Sequence, residues 1–141
     1  MNTDLFNLER FVTAQDTYDS YNTALQEIKS GAKRSHWIWY IFPQQKGLGR
    51  SYNSEFFGLD GEEEAKAYIE HPILGLRLRE ITKALLVHKG CRTIYQLMGS
   101  RIDVRKLKTS MMLFDKVSPN DVFARVIEEF FSNNSNKQNA L

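Results

Sequence analysis

Apolar residues recur at helical spacing along most of this chain, and Gly or Pro residues interrupt the pattern every ten to twenty positions. Gly90 stands where one such segment would end, as glycine often does after the last turn of a helix. The clearest apolar face consists of Leu74, Leu78, Ile81 and Leu85. The pattern predicts an all-α fold, a single compact domain of about six to eight helices with no regular sheet.

Length and composition agree with a single globular domain. The chain has 141 residues and is 42% hydrophobic, which suffices for one core without a metal or a disulfide. We place the helical domain at residues 1–131 and a disordered, Asn-rich tail at residues 132–141. Cys91 has no cysteine partner, and no Cys/His spacing indicates a metal site, so we expect no metal and no cofactor.

The termini and the hydropathy point to a cytoplasmic protein that makes no membrane contact. The longest apolar run, residues 37–42, is far shorter than the roughly 20 residues that span a bilayer. The first residues include Asp4, whereas a secretory signal peptide begins with basic residues.

Charge is distributed unevenly, although the formal net charge is only +2. Residues 28–54 contain five basic residues and no acidic one, and residues 86–114 contain six basic residues and one acidic residue. The rest of the chain is acidic on balance. If the two basic segments meet in space, they create a local positive field that attracts anions.

The segment Trp37–Phe42 fits neither a helical nor a strand period and is rich in residues that favour strands. Ser35 can cap a helix before it and Pro43 can end one after it. Because the helical neighbours supply no partner strand, we predict a short buried helix.

The same region makes the chain resemble a known family. The block from Ser35 to Gln44, Ser-His-Trp-Ile-Trp-Tyr-Ile-Phe-Pro-Gln, is the most specific part of the likeness. Further matching residues are Leu8–Phe11, Ala14–Gln15, Gly31, Lys33, Gly47–Gly49, Ser51, His71–Gly75, Lys106–Leu107 and Ser110–Met111. On these residues the chain resembles the bacterial family known as domain of unknown function 1810, often mislabelled as calpastatin. The resemblance implies a compact fold of about six helices and no established activity.

The leading functional hypothesis is a cleft where residues 33–51 meet residues 103–110 and bind a small anionic, perhaps nucleotide-like, ligand. We expect four residues to contact it: His36, Gln44, Arg50 and Ser51. Lys33, Arg34 and Lys106 supply the positive field. The sequence assigns no catalytic residue and no oligomeric state.

Each assignment has a structural alternative. His36 can be a core histidine with backbone partners, and the glycines of residues 47–51 can serve turn geometry rather than a phosphate. Asp103 is expected to cap a helix, and Glu62–Glu64 are expected to form a solvated first helical turn. The alternative function is a non-catalytic protein-interaction module in which the polar block only ties helices together. Nucleic acid is disfavoured because the aromatic residues lie in apolar runs.

Overall fold

Helices supply the regular structure of residues 4–132, the part that the computed structural model describes. The α-helices are α1 (Glu9–Asp16), α2 (Ser20–Ser30), α3 (Ile38–Ile41), α4 (Tyr52–Phe56), α5 (Gly61–Glu70), α6 (Leu74–Leu86), α7 (Ile94–Met98), α8 (Arg101–Val117) and α9 (Val122–Val126). A 3-10 turn, Thr17–Asp19, joins α1 to α2, and a π turn, Ile127–Phe131, follows α9. Gln45 and Leu59 form a lone β-bridge within this range. The predicted all-α class is confirmed.

An unbroken series of aromatic contacts runs through the core. Phe11 of α1 lies 5.0 Å from Tyr68 of α5, measured between ring centroids. Tyr68 lies 5.4 Å from Phe114 of α8, which in turn lies 5.6 Å from Phe123 of α9. These four rings are fully buried. Helices from both ends of the described range therefore share one core, which makes it a single compact domain.

The segment that fits no period is a helix, as predicted. α3 buries Ile38 and Ile41, and the flanking Trp37 and Phe42 are about 1% exposed. The other two residues of this turn, Trp39 and Tyr40, are half-buried and pack against the same core, so no face is polar and no amphipathic period results.

One helix cap differs from the sequence-based expectation. Ser100, not Asp103, caps α8, because its hydroxyl accepts a hydrogen bond from the backbone N–H of Asp103. Asp121 caps α9, and its carboxylate also binds Arg79 at 3.0 Å. His71 lies at the entry to α6, where its Nδ1 accepts the N–H groups of residues 73 and 74.

The expectation that Glu62–Glu64 form a solvated turn is wrong for Glu64. This residue is 2% exposed, and its carboxylate accepts the backbone N–H of Asp60 at 2.7 Å. Its second oxygen lies 2.9 Å from the guanidinium of Arg10. Burial of a carboxylate is tolerated here because the charge is paired and hydrogen-bonded.

Two further predictions concern the C-terminal tail and the membrane. The predicted tail, residues 132–141, lies outside the described residues apart from Ser132. Between residues 4 and 132, no helix combines the length and the apolarity that a membrane crossing requires.

Candidate functional site

The two basic segments meet in space, but where they meet their charge is neutralised. The ammonium of Lys33 lies 2.8 Å from the carboxylate of Asp103, and the Lys33 side chain is only 6% exposed. The backbone N–H of Lys33 also donates to the carbonyl of Leu97. Lys33 therefore fastens its segment to α7 and α8 and contributes little free positive field.

Glu27 of α2 organises the beginning of the family-specific block. Its carboxylate accepts hydrogen bonds from the N–H groups of Arg34 and Ser35, from the Ser35 hydroxyl and from the Trp37 indole. Burial by itself raises the pKa of Glu27, but these hydrogen bonds outweigh it and lower the pKa from 4.5 to about 2. The network holds residues 34–37 in one conformation.

The structure brings together Gln44, a predicted ligand contact, and Lys106, which was predicted to supply positive field. They line a small niche with Trp39, Asn53 and Ser54, and Gln44 accepts a hydrogen bond from Thr109 of α8 at 2.7 Å. The Lys106 ammonium lies 5.1 Å from the Trp39 ring centroid. The niche has a volume of about 10 Å³, which is room for roughly one water molecule.

The glycine-rich loop serves conformation and packing. Ser51 caps α4 by accepting the N–H of Ser54 at 3.1 Å. A Cβ at Gly49 would collide with the Ser54 hydroxyl, and Gly47 has a φ of +97° that favours glycine. Arg50 at the loop tip is exposed and makes no ion pair with a described residue.

His36 and Arg34 are both exposed and lie away from the niche. The alternative that His36 is a core histidine is therefore wrong. Its imidazole lines a different cavity of about 350 Å³, between the junction of α1 with α2 and residues 35–40. The seven predicted residues thus do not converge on one cleft.

Cations that form no ion pair within residues 4–132 converge on a wide groove along the outer face of α8. Arg101, Arg105 and Lys108 follow one another at helical spacing and line this groove of about 1260 Å³ together with Arg92. None of the four forms an ion pair with another residue of the 4–132 range. We call this surface the basic groove.

Aromatic and polar groups complete the basic groove. Tyr95 of α7 is 57% exposed, and Phe130 and Phe131 of the π turn lie along the same groove. The one acidic lining residue, Glu129, lies 3.7 Å from Lys89. Guanidinium groups can grip a phosphate or carboxylate through two parallel hydrogen bonds, and exposed rings can stack on a base.

Sequence reasoning missed this set, although the signal was present. The segment 86–114 has six basic residues and one acidic residue, and its spacing places Arg101, Arg105 and Lys108 on one helix face. The ligand contacts were instead expected within residues 33–51, which include the family-specific block. Among described residues no group of three or more His, Cys, Asp or Glu side chains is arranged to hold a metal.

Comparison with known proteins supports the fold and adds no activity. A family described as "Protein of unknown function (DUF1810)" matches residues 5–140. The crystal structure of the conserved hypothetical protein Rv1873 from Mycobacterium tuberculosis is similar, with 35% identity and a TM-score of 0.84. That match covers 98% of this chain and 99% of the other. A search of curated proteins finds no match.

Proposed function

Because the chain belongs to the DUF1810 family, whose description names no activity, we propose a function from the site itself: the protein binds a small anionic, nucleotide-like ligand in the basic groove. The ligand class is the one that the sequence suggested. We place the ligand along the outer face of α8, within and beside residues 103–110, and not at residues 33–51.

One observation carries this proposal: like charges are stacked on successive turns of α8 without an acidic partner in the described range. Arg101 and Arg105 are four residues apart, and such like-charge pairs cost about 0.2–0.5 kcal/mol each in an isolated helix. A bound anion removes that repulsion and adds charge-assisted hydrogen bonds. Arg92 lines the same groove, which brings a third guanidinium to this surface.

The aromatic residues favour a nucleotide over a bare inorganic anion. Tyr95, Phe130 and Phe131 provide ring surfaces beside the cations, which suits a base next to its phosphates. The groove volume of about 1260 Å³ lies just above the roughly 300–1,000 Å³ of typical small-molecule pockets, so it admits a nucleotide without rearrangement.

The other predicted residues lie outside the basic groove, and several of them have structural contacts. Lys33 pairs with Asp103, Ser51 caps α4, and Gln44 and Lys106 line the niche beside Trp39. Arg34 and Arg50 remain exposed cations outside the basic groove.

Calorimetric titration with ADP and with adenosine tests the proposal. We expect ADP to bind and adenosine to bind at least about tenfold more weakly, because the phosphates carry the charge recognition. In the double variant Arg101→Gln/Arg105→Gln we expect ADP affinity to fall by about 10- to 100-fold, the loss of one or two charge-assisted contacts.

The matched control is Arg34→Gln/Arg50→Gln, which removes the same charge from the segment that the sequence favoured. Unchanged ADP affinity in this control supports the basic groove. If the control loses affinity and the α8 variant does not, the ligand lies at residues 33–51 and the groove assignment is wrong.

The alternative, a protein-interaction module, has its own readout. Leu76 of α6 and Val87, which follows that helix, are 71% and 77% exposed, and Glu80 and Lys83 line the same surface groove. Failure of ADP, sugar phosphates and organic acids to bind, combined with self-association in sedimentation, would favour the interaction module over ligand binding.

A further inference from the structure

A second cavity, separate from the basic groove, lies at the junction of α1 and α2. It encloses about 350 Å³, within the range of small-molecule pockets. Its polar lining includes Thr17, Ser20, Ser35 and His36, and its aromatic lining includes Tyr18 and Tyr40. We call this cavity the junction pocket.

The backbone at the edge of the junction pocket is strained. Tyr18 and Asp19 both adopt the left-handed helical conformation, with φ of 52° and 56°. Each such non-glycine residue costs about 1–2 kcal/mol. The Tyr18 side chain is 97% exposed, so its ring buries no surface that would offset this cost. Strain that packing does not explain is typical of functional sites.

The hydrogen bonds of the pocket leave acceptors available. The Thr17 hydroxyl donates its proton to the carbonyl of Thr13 at 2.6 Å. The Ser35 hydroxyl donates its proton to the Glu27 carboxylate at 2.5 Å. A hydroxyl has one proton and two lone pairs, so both groups have only lone pairs left to offer. Ser20 and Tyr40 share one further hydrogen bond of 2.7 Å.

The charge next to the junction pocket is mixed, since Arg34 precedes Ser35 in the chain while carboxylates lie close by, whereas the basic groove is lined mainly by cations. Within the described range, no Lys, Arg, Asp or Glu lines the pocket. Asp16 and Asp19 border Thr17 and Tyr18 in the chain, and Glu27 lies behind Ser35. Arg77 neutralises Asp16 at 2.9 Å, which leaves Asp19 and Glu27 as carboxylates without an ion pair to a described residue.

We infer that the junction pocket binds a small quaternary ammonium ion, whose positive charge faces the hydroxyl lone pairs and the rings of Tyr18 and Tyr40. Acceptor oxygens, aromatic faces and nearby carboxylates all favour a positive charge. The same features disfavour an anion, because no Lys or Arg of residues 4–132 lines the pocket. Tyr18 stands at the pocket edge, where its exposed ring can cover the ligand.

Choline and its neutral isostere 3,3-dimethyl-1-butanol test the inference on the full chain. The two molecules have nearly the same shape and differ in charge. We expect choline to bind in calorimetric titration, with the isostere at least about fivefold weaker, since cation–π contacts contribute about 0.5–2 kcal/mol. Equal affinity for both, or no choline binding, would overturn the inference.

Substitution of Tyr18 locates the binding. Tyr18→Leu removes an exposed ring and leaves the core untouched, and we expect choline affinity to fall by between about 2- and 30-fold. Tyr95→Leu removes a ring that is 57% exposed from the basic groove and serves as the matched control, with choline affinity unchanged. If Tyr18→Leu binds choline as tightly as the unmodified protein, the junction pocket is not the cation site.

Discussion

The basic groove and the junction pocket differ in charge and in construction. The groove takes most of its cations from one face of one helix, α8, and those cations are unpaired within the described residues. The junction pocket is assembled from the end of α1, the start of α2 and residues 35–40, and its polar groups are already hydrogen-bonded. A regular helix can display a charged face at small cost, whereas a pocket of acceptors needs a scaffold that holds each group in place.

Glu27 is that scaffold, and it provides the largest expected effect. Glu27→Ala removes the acceptor of four hydrogen bonds and leaves the Trp37 indole without its partner. We expect a loss of about 2–4 kcal/mol of stability in chemical denaturation, together with loss of choline binding. Glu63→Ala, an exposed carboxylate in α5, is the control and should change stability by less than about 1 kcal/mol. ADP binding at saturating concentration should survive, because the groove uses no contact to Glu27.

The pH dependence of unfolding isolates the charge of Glu27. Its folded pKa of about 2 lies below the unfolded value of 4.5, so its contribution is complete above about pH 4.5 and disappears as the pH falls towards 2. Asp4 and Asp121 also have lowered pKa values, so protonation of their carboxylates also destabilises the folded protein in the acid range. Glu27→Gln should therefore show a shallower loss of stability than the unmodified protein between pH 4.5 and 2. Parallel curves for both proteins would contradict the hydrogen-bond network described for Glu27.

Salt should separate the two sites. The cations of the basic groove are exposed, so their attraction for ADP is screened as ionic strength rises. We expect ADP affinity to fall by about fivefold or more between 50 and 500 mM NaCl, measured by calorimetry, and choline affinity to fall less. A steeper salt dependence for choline than for ADP would reverse the comparison.

Relief of backbone strain gives the smallest effect, and it has the opposite sign. Tyr18→Gly places a residue that tolerates positive φ at a strained position, so we expect stability to rise by about 0.5–1 kcal/mol. The same variant should lose choline affinity, which links the strain to the site. A loss of stability in this variant would show that Tyr18 is not strained.

Much of the fold follows from the sequence because helical spacing and caps are local signals. The faces of α6 and α8 and the short helix at Trp37–Phe42 are examples. Burial of Glu64 was not predictable, since it depends on Arg10, a residue far away in the chain. A run of three glutamates at a helix start normally faces water.

The site is less predictable for the same reason. The cations of α8 are readable from spacing, but that they remain unpaired is a tertiary property. His36 was expected in one cleft with Gln44, and its position in a separate cavity was not foreseen, because the sequence does not show the Glu27 hydrogen bonds that hold residues 34–37. Nothing local in Thr17-Tyr18-Asp19 indicates two left-handed residues, so the junction pocket had no sequence signal.

NMR chemical-shift perturbation of the ¹⁵N-labelled protein tests directly whether ADP binds in the basic groove. We expect ADP to shift the amide signals of α7 and of the first turns of α8, around Tyr95, Arg101 and Arg105, and to leave those of Ser20 and His36 in place. Perturbations centred on Gln44 and Arg50, or no perturbation at millimolar ADP, would contradict it.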